Sequence, residues 1–112
     1  QMCVEADVLV KDGDILSLVG FDWQVLETPG HTAGSVCYYV ESEQVLISGD
    51  TLFANSLGRT DLPTGDMRAI IRSIKEKLLS LPERVMVYPG HGEVTTIEHE
   101  KRYNPVAAYR RR

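Results

Sequence analysis

The sequence predicts an α/β domain built on a mixed β-sheet with flanking helices, and three observations carry that reading. Short apolar runs of strand length alternate with turn residues through the first half of the chain. From Met67 to Leu81 the apolar residues instead recur at three- and four-residue steps, the spacing of an amphipathic helix. Val85-Met86-Val87-Tyr88 then returns to the pattern of a buried strand. With 112 residues, 43% of them apolar and 25% charged, the chain has the size and composition of one globular domain around one core.

Val8-Leu9-Val10 and Ile15-Leu16-Ser17-Leu18-Val19 flank Lys11-Asp12-Gly13-Asp14, and an Asp-Gly pair between β-formers signals a hairpin. Phe21-Asp22-Trp23-Gln24-Val25-Leu26 begins with the alternation of a half-buried strand and runs into Thr28-Pro29-Gly30-His31-Thr32-Ala33-Gly34-Ser35, a glycine-punctuated loop. Val36-Cys37-Tyr38-Tyr39-Val40 is aromatic and β-branched. The polar turn Glu41-Ser42-Glu43-Gln44 joins it to Val45-Leu46-Ile47, a second hairpin that delivers Gly49-Asp50. From Leu52 to Gly65 periodicity is lost among Asn55, Ser56, Gly58, Pro63 and Gly65, which predicts a long ordered loop of the functional kind.

Asp66 is placed to cap a helix whose Met67, Ile70, Ile71, Ile74, Leu78 and Leu81 face the core and which Pro82 stops. Its other face, with Arg68, Arg72, Lys75, Glu76 and Lys77, is expected in solvent. The strand Val85–Tyr88 ends at Pro89-Gly90-His91-Gly92. Thr95 or Thr96 caps a last helical segment through Tyr103, broken at Asn104-Pro105, in which His99 is expected exposed among Glu98, Glu100 and Lys101.

Composition excludes several classes of partner. A formal net charge of -4 leaves no basic footprint for nucleic acid or an anionic membrane. No apolar stretch reaches the ~18 residues of a membrane span, and the start resembles no signal peptide, so a soluble, cytoplasmic protein is expected. Cys3 and Cys37 stand far apart without C-x-x-C spacing and read as free, buried thiols. The chain opens at Gln1-Met2-Cys3-Val4 with no initiator Met at its head, which predicts that the true start lies upstream and that this is a fragment.

The chemistry concentrates at three turns. His31, Asp50 and His91 each follow an apolar run and a glycine, where a sheet edge presents a ligand. Two near-identical Pro-Gly-His turns with a Gly-Asp between them point to a metal site, because neutral imidazole and carboxylate together suit zinc, manganese or iron. Thr28, Thr32 and Ser35 read equally as hydrogen-bonders to the ligands or as caps of the loop backbone. Arg59 and Asp61 read as a pair that holds its loop.

Taken together, Thr28-Pro29-Gly30-His31-Thr32-Ala33-Gly34-Ser35, Ser48-Gly49-Asp50-Thr51-Leu52-Phe53, Gly58-Arg59-Thr60-Asp61 and Pro89-Gly90-His91-Gly92 closely resemble the metallo-β-lactamase-fold hydrolases. Among these the match is nearest to small hydroxyacylglutathione hydrolase (glyoxalase II) relatives. The resemblance runs from about Trp23 to Pro105, in order, and includes the ending Thr95-Thr96-Ile97-Glu98 through Asn104-Pro105. It implies a four-layer αββα sandwich of two similar halves, with residues 1–112 as the C-terminal half.

The resemblance further implies two metal ions, usually zinc and sometimes iron or manganese, with His31 on the first, Asp50 bridging both and acting catalytically, and His91 on the second. A metal-bound hydroxide would attack a thioester or ester carbonyl. The family's His-x-His-x-Asp-His motif, expected before His31, is absent, so the chain supplies three of the usual seven ligand positions and is expected to be inactive alone.

A half-fold of this kind is expected to bury its open sheet face against the missing N-terminal half or a second copy of itself. Two alternatives stand beside the hydrolase of small thioesters or esters such as S-lactoylglutathione. One is a persulfide dioxygenase of the same fold with a single iron and His91 unligated. The other is a non-catalytic half-fold that self-associates.

Overall fold

In the computed structural model, which describes residues 12–61 and 65–108, the first four strands run as an antiparallel meander. These are β1 (Ile15–Leu18), β2 (Phe21–Glu27), β3 (Val36–Val40) and β4 (Val45–Gly49). β5 (Leu52–Phe53) and β6 (Ser56–Leu57) make a separate two-stranded hairpin. β7 (Met86–Pro89) then pairs parallel with β4, and β8 (Thr95–Thr96) antiparallel with β7, so the main sheet is mixed, in the order β1-β2-β3-β4-β7-β8. The expected strand Val8–Val10, the Cys3 thiol, Pro63 and the tail Arg110–Arg112 lie outside the described residues.

Asp66 caps α1 (Met67–Arg72) by accepting from the Ala69 amide at 3.1 Å. The helix then widens into a π turn over Ser73–Leu78, closed by the Leu79 amide on the Ile74 carbonyl at 2.8 Å. Thr96 caps α2 (Ile97–Tyr103) through the His99 amide at 3.1 Å, while Thr95 belongs to β8. These segments cover one face of the sheet. Ile70, Ile74, Leu78, Ile97 and Val106 pack with Cys37, Tyr39, Leu46 and Val87 in one buried cluster.

Strand alternation sends the other residues of β3 and β4 to the opposite face, where Val25, Tyr38, Ile47 and Tyr88 align across four strands. At the β7 end this second apolar face is open: Met86 is 37% and Tyr88 43% exposed.

Ile15–Leu18 pairs with β2 through the two-residue turn Val19-Gly20, with both φ values positive (54° and 83°), and Gly13 bonds to Val25 of β2 at 2.7 Å; the strand Val8–Val10, expected on the other side of the Asp-Gly turn, lies outside the described residues. Three local expectations change. Part of the aperiodic loop after Leu52 is the β5–β6 hairpin, whose two-residue strands are too short to show a period.

Lys77 leaves the solvated face: its Nζ donates to the Glu27 carbonyl at 2.8 Å and pairs with Asp12 at 3.0 Å, since three residues after Ile74 and seven after Ile70 it stands on the helix side that faces the sheet. Met67, one step from the helix cap, is 53% exposed, outside the core. No helix among the described residues is long and apolar enough to cross a membrane.

Candidate metal centre

Strand direction brings the three ligand candidates to one edge. β2 and β4 both pair antiparallel with β3, and β7 pairs parallel with β4, so all three run the same way and end together. His31 follows β2, Asp50 follows β4 and His91 follows β7.

Asp50 stands between the two imidazoles. Its Oδ2 is 3.8 Å from His31 Nε2 and its Oδ1 is 3.9 Å from His91 Nε2. Those gaps are too long for hydrogen bonds, but donors held at about 2.0–2.2 Å from a shared ion stand roughly 3–4 Å apart. His31 is oriented from behind: its Nδ1 is 2.9 Å from the Arg59 carbonyl oxygen. A carbonyl only accepts, so Nδ1 carries the proton and the Nε2 lone pair faces Asp50. The His91 ring instead stacks on Phe53, with centroids 4.6 Å apart and planes at 26°. The exposures differ in step: the His31 side chain is 18% exposed and that of His91 79%.

Each arm is fastened by backbone. The Pro29 carbonyl accepts from Ser73 Oγ at 2.9 Å and the Gly30 carbonyl from the Asp66 amide at 2.7 Å, tying the His31 loop to the start of α1 and to the π turn. The Gly90 amide donates to the Gly49 carbonyl at 2.7 Å, joining the turns that carry Asp50 and His91. Gly58 must be glycine for a steric reason: a Cβ there would drive into the Asp50 carbonyl and lie 3.4 Å from His31 Cβ.

A buried polar knot lies behind the site. Thr28 Oγ1 is 3.1 Å from Thr51 Oγ1 and 3.3 Å from Cys37 Sγ, and Ser48 Oγ donates to the Leu52 carbonyl at 2.7 Å. Burial pushes the Cys37 thiol up to about 11, against the weaker downward pull of its bonds to Thr28 and Thr51. Cys37 is a free, buried thiol, as expected.

Thr32 and Ser35 bond to each other at 3.0 Å and close their own loop. Arg59 and Asp61 form a two-bond pair at 2.7 and 3.2 Å, whose hydrogen bonds raise the guanidinium and lower the carboxyl relative to their usual ranges.

His31, Asp50, His91, Phe53, Leu57 and Arg59 are among the residues lining an open pocket of about 460 Å³. Phe53 and the Arg59 carbonyl escape the sequence reading. The only signal for Phe53 is its place three residues after Asp50, and every residue has a carbonyl.

Among the described residues no group of three or more His, Cys, Asp and Glu side chains is arranged to hold an ion by itself. The three candidates come together as two pairs sharing Asp50. That donor set fits part of a two-ion site, with two protein ligands on each side where a four-coordinate ion takes more.

Residues 5–91 match the metallo-beta-lactamase superfamily. The hydroxyacylglutathione hydrolase GloC of Haemophilus influenzae is 44% identical over 95 residues, which cover 85% of this chain and 45% of that protein. The crystal structure of the BLEG-1 B3 metallo-beta-lactamase superposes with a TM-score of 0.87 at 47% identity, covering 93% of this chain and 50% of that one. ETHE1 from Myxococcus xanthus superposes with a TM-score of 0.84 at 38% identity, covering 91% and 46%. The chain thus spans about half the length of each of these three proteins.

Proposed function

The chain belongs to the metallo-beta-lactamase superfamily, and from that premise we propose that the complete protein is a metal-dependent hydrolase of small thioesters or esters, of the glyoxalase II type. The observation that carries this reading is the placement of Asp50, one oxygen toward each imidazole, with the His31 tautomer set by the Arg59 carbonyl.

His31 and Asp50 would hold one ion and Asp50 and His91 a second, zinc foremost and iron or manganese in its place, with the remaining ligands outside this chain. Such ions lower the pKa of coordinated water toward neutrality and polarise an acyl carbonyl. The chain's own residues bind and orient. Asp50 fixes the spacing of the two positions, and the His31 lone pair is aimed before any ligand arrives. Phe53 and Leu57 give the pocket an apolar wall that excludes water from one side of a bound acyl group.

The open apolar face at Met86 and Tyr88 suits cover by the other half of the fold, or by a second copy. The free thiol of Cys37 agrees with a reducing, cytoplasmic setting.

The test is metal analysis and thioester turnover by the full-length protein. About two ions per chain with S-lactoylglutathione hydrolysis supports the reading. A metal-loaded protein that hydrolyses neither thioester nor ester refutes it.

The exposure of His91, against the buttressed His31, favours a second reading, a one-iron persulfide dioxygenase using the first position only. One iron per chain with oxygen uptake on a glutathione persulfide would select it.

A further inference from the structure

We infer that Glu100 is a positioning residue: from inside the last helix it sets the β5–β6 hairpin, and so fixes Phe53 against His91 in the pocket wall. The inference rests on the hydrolase reading of that pocket. Glu100 is 0% exposed, although its helix neighbours Glu98 and Lys101 lie in solvent. One carboxylate oxygen accepts from the Asn55 amide at 2.9 Å and from Asn104 Nδ2 at 2.8 Å, and the other from Thr95 Oγ1 at 2.7 Å.

Two further bonds reach the same hairpin tip. His99 Nε2 donates to Asn55 Oδ1 at 2.8 Å, so this histidine is bonded as well as part-exposed, and Asn104 Nδ2 also donates to the Ser56 carbonyl at 2.9 Å. A hairpin with two residues per strand does not hold its own position in water. Its base is held by the buried Leu52 and the Ser48 bond to the Leu52 carbonyl, and its tip by these three links from α2 and its cap. Both ends of the device are functional in position, because Phe53, next but one to Asn55, is the ring that stacks on His91. A buried carboxylate serves stability less well than an apolar side chain of its size, which points to placement as its use.

The test uses the full-length protein and its Glu100→Gln, Glu100→Leu and Asn55→Gly variants. Glutamine keeps the shared acceptor for Asn55 and Asn104, and its NH2 donates to Thr95 once that hydroxyl reverses its role. Leucine removes every acceptor. Asn55→Gly keeps the left-handed backbone (φ 60°) and cuts only the His99 link.

In the metal-free proteins, the Phe53 ring current should shift the His91 Hε1 NMR signal upfield in the wild type and in Glu100→Gln. That shift should vanish in Glu100→Leu. With equal metal content, KM for S-lactoylglutathione should rise about tenfold in Glu100→Leu while kcat stays within about twofold, and Glu100→Gln should match the wild type.

A folded Glu100→Leu protein with an unmoved His91 signal overturns the inference, as does glutamine proving as damaging as leucine. Asn55→Gly, which keeps every Glu100 bond, should leave the His91 signal in place; should Glu100→Leu not fold, Glu100→Asp, a methylene too short to span the same partners, replaces it, and an unmoved His91 signal there overturns the inference equally. If the His91 signal follows Glu100 but the wild type turns over no thioester, the positioning role stands and the hydrolase reading falls.

Discussion

Thr28 Oγ1 and Thr51 Oγ1 lie 3.1 Å apart with both residues buried, so the loop that carries His31 and the turn that carries Asp50 are joined by a hydroxyl contact. Replacing Thr51 with valine keeps the shape and leaves the Thr28 hydroxyl with the weaker Cys37 contact. The expected loss is about 1–2 kcal/mol. For a protein of about 150–250 residues that is a fall of about 2–8 °C in Tm, read by a thermal melt.

Gly58→Ala is expected to act on the metal more than on the fold. The new methyl would overlap the Asp50 carbonyl while already touching His31 Cβ at 3.4 Å, so the Asp50 backbone must move. Ligand misplacement of about 1 Å reduces turnover roughly a hundredfold. Metal analysis should show the ions lost from a protein whose circular dichroism is unchanged.

Alkaline pH should destabilise the protein through Cys37. The folded thiol is raised from 9.0 to about 11, so between these values the unfolded chain releases its proton while the folded one keeps it. The stabilisation is complete below pH 9 and declines as pH rises toward 11, by about 2–3 kcal/mol in all. Urea melts at pH 8 and pH 10.5 should show the decline in the wild type and a flatter profile in Cys37→Ala.

If the proposed site draws further ligands from the rest of the fold, the 112-residue chain alone should bind zinc at least about a hundredfold more weakly than the full-length protein, since outer-shell losses by themselves reach that size. Competition titration against a chromophoric chelator measures the ratio. Equal affinities would mean that this chain holds all the ligands it needs.

His31→Ala and His91→Ala separate the two catalytic readings. A two-ion hydrolase should lose about a hundredfold or more in kcat from either change, whereas a one-iron enzyme should tolerate His91→Ala within about threefold. Steady-state rates at matched metal content decide.

The sequence and the structure agree most closely where a local rule dictates the geometry. The Pro-Gly-His turns, the Gly-Asp turn, the strands at Val36 and Val45 and the caps at Asp66 and Thr96 all follow from turn and capping chemistry within a few residues. What escaped the sequence depends on distant partners. Val19 is a poor residue for a positive φ, and only its pairing neighbours Leu18 and Phe21 force the turn there. Glu100 looks like any helix-surface acid until Asn55, 45 positions away, comes to rest on it. Lys77 reads as solvated until its Nζ meets the Glu27 carbonyl, 50 positions away, and Asp12.

The parallel pairing of β4 with β7, the single one among the described residues, also bears on how the protein acquires its site. The meander that brings His31 to Asp50 closes through short hairpins, which form early and quickly. His91 arrives only when the chain has crossed over α1 and laid β7 beside β4, a contact of much longer sequence separation. During synthesis, therefore, His31 and Asp50 can meet before His91 has left the ribosome, and His91 joins them last.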